Sequence, residues 1–195
     1  MSSILEILMS SLGGGAVDQI SKKLGLSPAT TSKIVQVAIP LLISALAKNS
    51  STTSGATSLQ SALAKDHDGS ILDDVLGALG QPNQGDGAGI LRHVLGNKQG
   101  SIQQTLGQTT GVDPNQAGQI LEMLAPVVMG ALGKKTSTEG LDAGSLADML
   151  KGEAKQARKT EPDLMGSVLG MLDQDKDGNI MNEVGGFLGK LFKPR

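Results

Sequence analysis

The chain has no cysteine, no tryptophan and no tyrosine, and aromatic side chains make up 1% of its 195 residues. Without cysteine there is no disulfide framework, no thiolate nucleophile and no Cys-based zinc site, and the redox compartment is left open. Without Trp or Tyr the usual material of strands, interface anchors and base-stacking platforms is missing. Charge of one sign is lacking too: the formal net charge is -2, which argues against a broad nucleic-acid-binding surface. No G-x-S-x-G, Walker loop or G-x-G-x-x-G after a strand is present, so no catalytic set can be read. No basic n-region precedes the first apolar segment, and Glu6 interrupts it. That pattern is not a conventional signal peptide, and it predicts a cytoplasmic protein while leaving leaderless export open. The interior must therefore be filled by Leu, Ile, Val, Ala and the 8 Met, of which Met packs adaptably.

What the chain does contain is a repeat. The stretch from Lys23 to Leu46 recurs at an offset of 86, laying Gly25 on Gly111, Pro28 on Pro114, Ile34 on Ile120, Pro40 on Pro126 and Leu46 on Leu132 without a gap. Two prolines at the same spacing point to a tandem duplication of one helical unit. Ser27 and Asp113 stand where an N-cap is wanted, each followed by proline at the first helical position. From Ile34 the first copy is apolar nearly all round, the mark of a core helix, and the stretch reads as too short and too interrupted to cross a bilayer. Pro40 and Pro126 fall inside the pattern and predict a kink one turn earlier. Ile34, Val37, Leu41, Ile120, Leu124 and Val127 are the expected core.

Around this pair the sequence predicts further helices and their stops. Ser3 and Glu6 form a capping box opening an amphipathic helix that ends at the glycines from Gly13. A short helix from Ala16 stops at Gly25. Asn49 to Thr57 reads as a polar loop, with helices following over Ser58 to Ala64 and Ile71 to Leu79. Residues 81–89 read as a Gly-rich linker between a first helical unit, 1–80, and a second, 90–195. In the second unit helices are expected from Ile90, Ser101 and Pro114. A loop at Lys134 to Thr138 is expected to parallel the first copy's polar loop. An amphipathic helix spans Leu146 to Lys159, and an acidic loop and a last helix close the chain.

The acidic loop carries the sharpest motif. Asp173, Asp175 and Asp177 with Gly178 give the D-x-D-x-D-G opening of a calcium loop; Asn179 offers a main-chain carbonyl and Glu183 a carboxylate. The glutamate stands eleventh where an EF-hand has it twelfth, so the loop is EF-hand-like. Oxygen-only ligands favour Ca²⁺; the competing reading is a solvated acidic turn at a helix start. A degenerate copy, Asp66, Asp68, Ser70, Asp73 and Asp74, has Ala64 in place of the first aspartate, and there helix capping is the preferred reading. His67 and His93 read as isolated surface histidines.

The segment from Asp18 to Ile34 has the form of a helix-turn-helix with Gly25 at the turn. In a DNA-binding version Thr30 and Thr31 would face bases while Lys22, Lys23 and Lys33 touched phosphate. The second copy has Gln108 and Gln119 in place of such lysines, so helix packing is preferred and nucleic acid is disfavoured as a partner.

With its duplicated L-G-L-S-P and I-P-L-L motifs, H-D-G-S-I-L-D-D at His67 to Asp74, G-I-L-R-H-V-L-G at Gly89 to Gly96 and the closing acidic loop, the chain resembles the YidB-like bacterial family of unknown function. The resemblance implies an all-α, homeodomain-like helical arrangement with little or no sheet, and no catalytic residue. The expectation is a non-enzymatic helical scaffold or protein-interaction module, meeting a protein partner or a second copy of itself and binding calcium at the C-terminal loop. The alternative is a DNA-binding protein using the Asp18 to Ile34 corner.

Overall fold

The computed structural model of the chain describes residues 3–13, 15–80 and 86–160, and over these it is all-α, with no strand. Helix α1 (Ile4–Leu12) opens with the expected capping box, Glu6 N–H donating to Ser3 Oγ at 3.1 Å and Ser3 N–H to Glu6 Oε2 at 3.1 Å. Helix α2 (Ala16–Leu24) turns into α3 (Pro28–Asn49) through Gly25, and α7 (Gln99–Thr110) turns into α8 (Pro114–Glu139) through Gly111. The two corners are built alike. Both glycines are left-handed, at φ 67° and 77°, a conformation that costs a residue without Cβ little. Beyond them Leu26 N–H reaches Ser21 O, and Val112 N–H reaches Gly107 O, each at 3.0 Å, the backward bond of a Schellman stop. Ser27 Oγ then accepts from Thr30 N–H, and Asp113 Oδ1 from Asn115 N–H.

Both long helices run on through their prolines. The missing donor at Pro126 leaves the Glu122 carbonyl without its helical partner, and there α6 (Gly87–Leu95) approaches: a Cβ at residue 87 would overlap that carbonyl. The remaining elements among the described residues are α4 (Thr53–Asp66), two 3-10 turns (Ser70–Asp74 and Gly96–Lys98), α5 (Val75–Gly80) and α9 (Ala143–Thr160).

Helices α3 and α8 pack on each other; α9 covers α3 and α4, α6 and α7 cover α8, and α2 lies on α3 and α5. All six expected core residues, from Ile34 to Val127, are buried. Buried apolar side chains from both sequence halves form one cluster.

Four expectations are corrected. The polar loop of 49–57 is short, because Thr52 caps α4 by accepting from Gly55 N–H at 3.1 Å, so the helix starts at Thr53. Residues 87–89 of the expected linker are the first turn of α6, capped by Asp86, whose Oδ1 accepts from Gly89 N–H; residues 81–85 lie outside the described residues. The loop expected at Lys134 to Thr138 is the last part of α8, supported by the Lys135–Glu139 ion pair at 2.7 Å and stopped by left-handed Gly140. Finally, α3 at 22 residues is long and apolar enough to span a membrane by length and composition, contrary to the expectation that the stretch is too short. Yet 72% of its apolar window is buried inside the bundle, as in a core helix.

Candidate functional site

The segment joining α4 to α5 holds the degenerate acidic loop, and its geometry is that of turns and caps. Asp68 Oδ1 accepts from Ser70 N–H at 2.9 Å, Asp74 Oδ1 accepts from Gly77 N–H at 2.8 Å, and Leu72 N–H closes a turn on Gly69 O. The bond from Ser70 N–H holds the Asp68 carboxyl below its usual pKa. Asp66 and Asp73 are exposed. Asp66, Asp68, Ser70 and Asp74 do line one hollow of about 390 Å³ with Pro126 at its edge. Even so, no group of three or more His, Asp or Glu able to hold a metal ion occurs among the described residues. This loop uses Asp68 and Asp74 as turn and cap acceptors. It is seated on α8, where a methyl at residue 133 would overlap the His67 carbonyl, so Gly133 is what lets the loop lie flush.

At the α2–α3 corner the residues of the DNA-binding alternative separate. Thr31 is fully buried and meets the Ser21 hydroxyl at 2.9 Å, while Ser21 donates to Val17 O. Lys23 Nζ donates to Leu79 O at 3.0 Å and lies 3.5 Å from Gly80 O, a cation closing the C-terminal end of α5. The Thr30 hydroxyl is 2.8 Å from that of Ser27. Lys22 and Lys33 are exposed.

The place the sequence did not suggest is a cleft of about 420 Å³ between α4 and α6. Both helices pack on α8 but scarcely on each other, which leaves the gap. Its walls are apolar: Leu59 and Ala62 from α4, Ile90 and Val94 from α6, with Leu46 of α3 and Met129 of α8 beneath. At one end Asn49 Nδ2 donates to Val94 O at 2.8 Å, tying the end of α3 to the end of α6. The cleft brings together His67 and His93, 26 positions apart in sequence. His67 is half-buried, and loss of solvation lowers its pKa below the usual imidazole range against the opposing pull of Asp66; His93 is exposed. An apolar hollow of this size with a few polar groups at its margins is the form of a small-ligand site. Periodicity could not reveal it, since its walls come from four helices.

The calcium-loop residues Asp173, Asp175, Asp177, Asn179 and Glu183 lie outside the described residues. Neither a curated protein nor a solved structure matches the chain. A family described as "Bacterial protein of unknown function" matches residues 6–135, from α1 through most of α8. The chain therefore belongs to that bacterial family, DUF937.

Proposed function

We propose that the protein is a non-enzymatic helical scaffold or interaction module whose C-terminal EF-hand-like loop binds one calcium ion, and that within its family it is YidB-like, built by duplication of a homeodomain-like helical unit. The observation that carries the scaffold reading is the use made of its polar side chains. Thr31 is buried in the α2–α3 corner, and the exposed Lys23, Asp68, Asp74 and Asp86 are each engaged in a turn or cap. The likeness of the Gly25 and Gly111 corners supports the duplication. The calcium part rests on the sequence: three aspartates at alternate positions repel one another, and a cation relieves that repulsion.

Calorimetric titration of the full chain with calcium tests it. One site per chain is expected, and Asp175→Ala should abolish it; no heat of binding in the wild type would remove calcium from the account. A titration on duplex DNA in the same buffer should show no affinity that falls steeply with salt. Salt-sensitive binding lost in a Lys22→Ala, Lys33→Ala double variant would favour DNA instead.

A further inference from the structure

The α4–α6 cleft has a shape and a polarity that select a class of ligand. Along α4 its lining runs from Gly55 to Ala62, about two turns or roughly 10 Å at the helical rise. The cleft's volume of about 420 Å³ sits within the range of about 300–1,000 Å³ typical of small-molecule sites. The occupant is small.

Its chemistry follows from the walls. Apart from the two imidazoles they are aliphatic, from Leu46, Leu59, Ala62, Ile90 and Val94, with the thioether of Met129. None of the described residues lining the cleft is Asp, Glu, Lys or Arg, so a charged head drawn inside would lose its hydration without gaining a counter-ion. The polar lining consists of Asn49, already committed to Val94 O, Ser58, and the imidazoles of His67 and His93. Neutral imidazole offers one donor and one acceptor, which matches a hydroxyl. Burial favours that neutral state at His67.

We propose that the cleft between α4 and α6 is a binding site for a small neutral aliphatic ligand with a single hydroxyl-type head, its hydrocarbon held by Leu46, Leu59, Ile90 and Val94 and its head hydrogen-bonded to His67 or His93. This site is independent of the calcium loop, and its test is run with chelator present.

The test uses the full chain and the neutral fluorophore 1-aminoanthracene, whose signal is read against a protein without Trp or Tyr. Straight-chain primary alcohols from hexanol to dodecanol displace it. Each added CH₂ should tighten binding about fourfold, the equivalent of about 0.8 kcal/mol, until the cleft is filled, after which affinity should level off. Ala62→Phe, placed in the half-buried wall, should weaken the longest alcohols at least tenfold and bring the plateau to shorter chains. Should that variant lose its helical signal, Ser58→Leu at the exposed wall is the substitute, with the same expected direction. Absence of saturable displacement, a rise with chain length that neither levels off nor responds to either variant, or tighter binding of decanoate than of decanol would each overturn the proposal.

Discussion

The same substitution, glycine to alanine, should have opposite signs at positions 133 and 152. At Gly133 the new methyl would meet the carbonyl of His67, which is backbone and cannot swing aside. Gly133→Ala should cost about 1–3 kcal/mol, the range for overpacking a tight contact. Gly152 is exposed within α9 and a Cβ there meets nothing. Gly152→Ala should add about 0.4–1 kcal/mol by restricting the unfolded chain. Urea unfolding of both variants beside the wild type checks the pair. His67 supplies a pH dependence. Burial lowers its pKa in the folded protein below the ordinary value, near 6.5 in the unfolded chain. The stability tied to neutral His67 is therefore present above about pH 6.5 and is lost as pH falls through the folded value. The urea midpoint should drop between about pH 7.5 and pH 5.5, and less so in His67→Gln. An equal drop in both proteins would assign the dependence to other groups.

Among the elements, the starts of α1, α3 and α8 were legible in the sequence because caps and prolines leave local signatures: Ser3 with Glu6, Ser27 with Pro28, Asp113 with Pro114. The end of α2 was legible for the same reason, through Gly25, and Gly111, its counterpart in the repeat, ends α7. Glycines that serve helix contacts were not legible. A glycine that lets two backbones touch looks, in one sequence, like a glycine that makes a turn, so Gly87 reads as linker although it opens α6 against the Glu122 carbonyl. The cleft was missed on similar grounds: His67 and His93 each look solitary until α8 brings α4 and α6 alongside. Gly87→Ala tests the contact physics. Its methyl would strike the Glu122 carbonyl exposed by Pro126, so α6 should be displaced from α8. Amide exchange in residues 87–95 should then speed up while that in α2 stays as in the wild type; unchanged exchange in α6 would show that the contact tolerates a side chain.

For the whole molecule, the consequence of the fold is that the two sequence halves share one interior. Helix α3 from the first half is covered by α8 and α9 from the second, and α4 also rests on both. Leu41 and Leu124, for instance, are both fully buried in the same cluster. A half alone would expose its long apolar helix to water, and burial of that surface is the main favourable term in folding. The direct measurement is equilibrium urea unfolding, followed by far-ultraviolet circular dichroism, of the full chain and of fragments 1–80 and 86–195. The account predicts one cooperative transition for the full chain and, for each fragment alone, reduced helicity without a cooperative transition. Two separated transitions in the full chain, or either fragment folding cooperatively alone, would contradict it.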